Sequence, residues 1–188
     1  MRGRKLFKIT YPLLVLLSIP LYLLPKNLVS IFWTTLDLLP GIIGVGLRYV
    51  FALRLVKSLG KNVFIGRCVE ITGWNNLSIK NNVSIHKDCY INAKGGLYIG
   101  NDVSIAHSTS ILTFEHTWDD KSLPIRSNPL KFSKVSIEDN VWIGCGCRIL
   151  SGVTIETFSV IAAGAVVNNN VKSGTLNGGV PAKILKYL

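Results

Sequence analysis

The stretch Thr113-Phe114-Glu115-His116-Thr117-Trp118-Asp119-Asp120 gathers one imidazole and three carboxylates within six residues. An imidazole is the side chain best matched to take a proton near neutral pH, so His116 is the candidate general base. Glu115 and Asp119 are candidate contacts to whatever molecule loses that proton. Taken alone, the same residues also fit a solvated loop face, as isolated loop histidines commonly do. Four cysteines, Cys68, Cys89, Cys145 and Cys147, raise disulfide or metal chemistry. A single CxC pair without a second one is weak ground for zinc, and all four are read as reduced thiols, which fits a cytoplasmic chain.

Such residues need a frame, and a six-residue period supplies it. Ile137, Ile143, Ile149, Ile155, Ile161 and Val167 fall six apart, mostly with a second small or apolar residue two places earlier. Helices and isolated strands repeat at about 3.6 and 2 residues. A period of six therefore predicts an all-β solenoid whose short strands each turn two side chains inward and then round a corner. Ile65, Ile85, Ile105, Ile143 and Ile161 would line one wall; Ile71, Ile91, Ile111, Ile149 and Val167 a second; Ile79, Ile99, Ile137 and Ile155 a third. The longer steps containing Gly73-Trp74 and Gly95-Gly96 then fall at one corner, and the break between Ile111 and Ile137 leaves from it too. Residues of about 112–134 are read as a loop extruded from the coil, too long to be kept without a use. Cys89 and Cys147 occupy inward positions as small hydrophobes. His86 and His107 read as outward strand residues, His86 near the wall that approaches an acceptor.

Composition changes near Gly60. Residues 1–61 hold nine Lys/Arg against Asp37 alone, a surplus of eight in a chain whose net charge is +11. The greasy neighbours of these charges point to an anionic membrane surface and away from nucleic acid. Leu6 to Leu24 is about long enough to cross a bilayer, although Pro12, Pro20 and Pro25 would kink it, and a span, a hairpin with the second apolar stretch and a place in the interface all fit. Leu28 to Val56 is interrupted by Asp37, Pro40, Arg48 and Arg54, and its later part reads as an amphipathic helix with its basic residues near lipid headgroups. A cleaved secretory signal is the competing reading, disfavoured because no small-x-small site follows Leu24. The expected organisation is a basic, helical, membrane-associated segment over 1–60, a β-helix over 61–172 and a C-terminal tail over 173–188.

From Val103 to Leu188 the chain resembles the hexapeptide-repeat acyltransferases with a left-handed parallel β-helix, above all the maltose and galactoside O-acetyltransferases and the O-acetyltransferases of lipopolysaccharide and polysaccharide synthesis. Three ordered motifs carry the resemblance. Ile111 to Asp119 is similar to the strand leading to that family's catalytic His, with an Asp three places later. Asp139-Asn140-Val141-Trp142-Ile143-Gly144 is similar to its DNVWIG segment, followed by Ala162-Ala163-Gly164-Ala165-Val166-Val167. Gly179-Val180-Pro181-Ala182-Lys183 is similar to its GxPAK ending.

The resemblance implies roles. His116 would deprotonate an acceptor hydroxyl, which attacks the thioester of acetyl-CoA directly, and Asp119 would contact the acceptor, a sugar or lipid-linked glycan precursor; Glu115 and His86 are further candidate contacts by their own positions. Trp142, Cys145, Ala163 and Asn168 would line the CoA groove, with Lys183 and Lys186 near the nucleotide phosphates, where a lysine serves as a point charge. Asn168-Asn169-Asn170 stands where relatives commonly read T-K-D, so one basic CoA contact is missing. The family assembles as homotrimers with the site between subunits. Zinc hydration, known on the same fold, needs a closer histidine pair than His107 and His116 provide, and no metal is expected. The rivals are an N-acyltransferase acting on an amino sugar, a serine acetyltransferase and a non-enzymatic membrane-anchored scaffold. Acetyl-CoA is a cytoplasmic donor, which sets the expected location at the cytoplasmic face of the cell membrane.

Overall fold

In the computed structural model, which describes residues 2–188, the six-residue period becomes a parallel β-helix with three walls. Each repeat supplies a two- or three-residue strand ending in the inward Ile or Val, and the equivalent strand of the next coil pairs with it in parallel. Ile65, Ile85, Ile105, Ile143 and Ile161 stack on the first wall. Ile71, Ile91, Ile111, Ile149 and Val167 stack on the second, and Ile79, Ile99, Ile137 and Ile155 on the third. These residues, with the apolar partner two places earlier, make one continuous buried core. Because each interior strand has a neighbour above and below, backbone pairing runs along the axis from the first coil to the last.

Corners need a reversal that L-residues resist. At the third-to-first corner Asn62, Asn82, Asp102, Asn140 and Phe158 all take positive φ, and at the first-to-second corner Cys68, Asp88, Ser108, Gly146 and Gly164 do. Asn, Asp and Gly tolerate this left-handed conformation best. Beside the first of these corners the side chains form a polar ladder: Asn81 Nδ2 donates to Asn101 Oδ1, and Asn101 Nδ2 donates to Asp139 Oδ2. The Asn101 backbone N–H also donates to Asp139, and these bonds hold its carboxyl below the usual range.

His86 and His107 fall just after strands Ser84–Ile85 and Ser104–Ile105, in the first-to-second corner, so they are turn residues and not the outward strand residues expected. Four residues past the inward Ile the chain must already be on the next wall, which leaves no strand position for them.

Three α-helices precede the coil: α1 (Arg2–Ser18), α2 (Lys26–Ile31) and α3 (Gly41–Leu55). Helix α3 lies on the open edge of the first coil, where strand carbonyls have no preceding strand to bond. Side chains replace it: Arg48 Nε donates to Ile65 O, Trp33 Nε1 to Val69 O, and the Tyr49 hydroxyl to Gly60 O. Arg48, expected among lipid headgroups, is 2% exposed and also donates to Leu36 O. An unpaired row of buried carbonyls is costlier than one desolvated guanidinium with its donors filled, which explains the correction. Val29, Trp33, Leu36, Tyr49, Ala52 and Leu55 join the same core as the coil residues. The segment over 1–60 is therefore a cap on the coil. The first coil strand, Ser58–Leu59, begins inside it, and Thr175–Gly178 continues the first wall past residue 172 before Lys183–Tyr187 turns back antiparallel along it.

Candidate functional site

His116 ends the strand Phe114–His116, which pairs antiparallel with Leu130–Phe132 to form a hairpin standing out from the second-to-third corner. The hairpin is anchored at its root. Thr113, fully buried, donates its hydroxyl to Asn92 O and accepts the Gly95 N–H, while its carbonyl takes the Ser133 N–H as the chain returns. Phe114 and Phe132 place their rings 6.1 Å apart across the ribbon. Beyond His116, Thr117 bonds Pro129 O, and the buried Asn128 clasps the tip by accepting from Asp120 N and donating to Asp120 O and Pro124 O. The extruded segment is thus an ordered arm holding an exposed imidazole at the end of a strand.

Period two along that strand puts Glu115 on the opposite face from His116. There Glu115 meets Lys131 at 3.4 Å. Asp119 is exposed in the loop three residues past His116.

The other candidates lie elsewhere on the coil. Trp142 faces outward from the first wall, 56% exposed. Strand register carries its column on through Val160 and Leu176 to Lys186, three strand spacings or about 14 Å along the axis. Lys183, on the same terminal strand, pairs with Gly178. Cys145 and Ala163 occupy successive coils of the first-to-second corner, linked by the Gly164 N–H donating to Cys145 O at 2.8 Å. In the other direction the small side chains of Ser84 and Ser104 leave a hollow of about 620 Å³ on the first wall, lined also by Asn82, Asp102 and Asn140. His86 is exposed in the second coil with its ring 5.5 Å from that of Phe64.

Asn168 lies after the strand Val166–Val167, at the second-to-third corner, and is not brought to Cys145 and Ala163. That corner and the first-to-second corner are separated by one wall, about 15 Å at the rise of an extended chain. A single copy accordingly presents two candidate half-sites: the His116 arm at one corner, and the Trp142, Cys145, Ala163 and lysine surface around another.

Cys89 and Cys147 are buried, and burial pushes both thiols above their ordinary pKa, which makes them packing residues. Among the described residues no three His, Cys, Asp or Glu side chains converge as a metal site. Sequence reasoning missed the anchors Asn92, Thr113 and Asn128. The two-glycine step at Gly95-Gly96 was the available signal: a Cβ on Gly95 would lie 2.1 Å from Thr113 O, so only glycine lets the arm's root approach the corner.

Comparison with known proteins agrees with the fold. Residues 134–169 match the family model described as bacterial transferase hexapeptide (six repeats). A Schizosaccharomyces pombe protein named as an acetyltransferase is 42% identical over 91 residues, 48% of this chain and 42% of that protein. The crystal structure of a maltose O-acetyltransferase from Clostridium difficile 630 superposes with a TM-score of 0.75 at 26% identity, covering 89% of this chain and 88% of that one. A hexapeptide-repeat acetyltransferase from Vibrio cholerae, complexed with acetyl coenzyme A, superposes with a TM-score of 0.67 at 25% identity, covering 87% and 86%. Repeat, coil and corner geometry make the chain a hexapeptide-repeat parallel β-helix, a fold it shares with acetyltransferases. It spans about half the length of the curated relatives it matches.

Proposed function

We propose that the chain is an O-acetyltransferase that moves an acetyl group from acetyl-CoA to a hydroxyl of a sugar or lipid-linked glycan precursor. The observation that carries this reading is the anchored arm presenting His116 at one corner of a coil whose first wall carries an aromatic and lysine column suited to an extended, phosphate-bearing donor. Likeness to a maltose O-acetyltransferase and to an acetyltransferase holding acetyl coenzyme A supports it.

In the proposed reaction the neutral imidazole of His116 accepts the acceptor's hydroxyl proton as that oxygen attacks the thioester carbonyl. The C–S bond then breaks, the acetyl ester leaves with the acceptor, and the CoA thiolate takes the proton back from the imidazolium. No covalent enzyme intermediate is needed, so catalysis rests on placing two substrates in line and on general base help. Lys183 and Lys186 neutralise donor phosphates, Trp142 and Ala163 border the pantetheine arm, and a backbone N–H near Cys145 steadies the thioester oxygen as charge develops. Asp119 and His86 contact the acceptor's hydroxyls.

The two half-sites meet when the arm of one copy reaches the first-to-second corner of the next, and a closed ring of three triangular coils offers that contact three times. The working unit proposed is therefore a homotrimer, acting on the cytoplasmic side where its donor is made. His116→Ala should lower turnover roughly 100-fold or more while leaving acetyl-CoA binding nearly intact. Trp142→Ala should weaken the donor side. Mixing the two variants through denaturation and refolding should restore activity, because some sites then draw an intact arm and an intact groove from different copies. An unchanged rate in His116→Ala would remove the assigned base, and mixtures no better than their parents would place the site within one copy. Replacing the hydroxyl acceptor by an amino sugar in the same assay separates O- from N-transfer.

A further inference from the structure

Helix α1 is apolar on two sides, and only one of them is used. Phe7, Tyr11 and Leu14 turn toward α3, with the Phe7 ring edge-on to Tyr49 at 5.1 Å. On the other side Ile9 is 78% exposed, Leu13 55% and Leu16 61%, and in the elements that follow Leu23 is exposed at 86%, Leu38 at 80% and Ile42 at 64%. A soluble monomer seldom leaves so much apolar surface uncovered.

The geometry points to a lipid bilayer as the occupant, with the helical cap lying in the plane of the membrane without crossing it. Charge selects lipid over a second copy of the chain. Residues 1–61 hold a surplus of eight positive charges, and Lys5 and Lys8 are exposed on α1 itself. The one acid among them, Asp37, is turned to the coil, where it accepts the Cys68 N–H and lies 3.9 Å from Arg48. Two such faces would repel each other, whereas anionic headgroups attract each lysine near the surface. Apolar burial with a basic rim is the composition of an interfacial helix.

Latches argue against a crossing. Arg54 Nε donates to Leu21 O and its Nη2 to Leu24 O, the Tyr22 hydroxyl donates to Leu53 O, and Lys26 Nζ donates to Leu55 O and Asn75 Oδ1. These bonds tie residues 21–26, the turn after α1 and the start of α2, to the C-terminal end of α3 and, through Asn75, to the coil. Standing α1 upright through a bilayer would break them and strip Phe7, Tyr11 and Leu14 from the core. Since α3 covers the open edge of the first coil, the coil axis leads away from the membrane, and the His116 arm leaves two strand spacings, about 10 Å, beyond that first coil. This seating stands whether or not the chain transfers acyl groups.

The test is flotation of the purified full-length protein with vesicles of phosphatidylcholine alone or mixed with phosphatidylglycerol. The native chain should float with both, several-fold more with the anionic mixture, and that excess should fall with added salt. The triple variant Ile9→Glu, Leu13→Glu, Leu16→Glu should lose at least tenfold in partitioning with its thermal midpoint unchanged, because all three side chains point away from the core. Lys5→Ser with Lys8→Ser should abolish only part of the anionic preference. If the native chain stays off both vesicles, or the triple variant floats as the native chain does, the proposal falls. A triple variant that instead breaks up an oligomer of a chain that never floats would assign the face to subunit contact. With Cys68 and Cys145 replaced by Ser, an impermeant maleimide on intact vesicles should label Lys5→Cys and Asn75→Cys equally; protection of either alone would mean that the cap crosses.

Discussion

Phe158 occupies the left-handed corner position that Asn62, Asn82, Asp102 and Asn140 fill in the other coils, at φ of +58° and 64% exposed. A large side chain there suffers the Cβ clash that asparagine tolerates, at roughly 1–2 kcal/mol for an ordinary L-residue. Phe158→Asn should therefore stabilise the protein by about 0.5–1 kcal/mol, seen as a higher urea midpoint with an unchanged slope. No shift in the midpoint would mean that the exposed ring has a compensating contact in the assembled protein. The corner positions were hidden from hydrophobic periodicity because they are set by backbone φ, and a reader counting only Ile and Val passes over them. The same holds for Thr113. Its role comes from Asn92 and Gly95, about twenty residues back in the chain but one strand spacing away in space.

The His116 arm illustrates what an element adds to a residue. A histidine in a floppy loop would sample many positions, whereas a two-stranded ribbon anchored by Thr113 and Ser133 holds the imbalance of freedom to its tip. Gly95→Ala would drive a methyl group against Thr113 O and Ser133 N, which approach the ideal Cβ position at 2.1 and 3.0 Å. The root must shift, and a shift near 1 Å at a reacting group can cost up to about 100-fold in rate. The expected result is a turnover lowered at least tenfold with the Michaelis constant for acetyl-CoA unchanged, since the lysines and Trp142 sit on another wall. A rise in that constant with turnover preserved would count against the arm as the carrier of the base. The sequence pattern showed where the arm leaves the coil, through the break after Ile111. It did not show the hairpin, whose pairing of Phe114 with Phe132 and Glu115 with Lys131 depends on a register set by the anchored root.

At the scale of the molecule, the helical cap and the coil share one hydrophobic core. Removing residues 1–57 would uncover the edge carbonyls of Gly60, Ile65 and Val69 and the apolar end of the core under Ala52 and Leu55. The truncated chain should aggregate or fail to show a cooperative thermal transition, measurable by calorimetry and size-exclusion chromatography, because an open coil edge and an open core end are both exposed. Recovery of a soluble, cooperatively melting coil would show that the cap is dispensable for folding and serves docking alone.

The three walls, their Ile and Val stacks, the corner of the insertions and the site of the extruded arm were legible in the sequence, because a solenoid repeats one local rule and each repeat meets only its neighbours. The cap was not. Arg48 looks like a headgroup residue beside its apolar neighbours, and only the first coil's unpaired carbonyls, brought to it by the fold, make burial its better state. The corners that His116, Cys145 and Asn168 hold follow from the six-residue register. The ribbon that carries His116 does not, because its root is fixed by Asn92 and Gly95, which come beside Thr113 only when the coil winds.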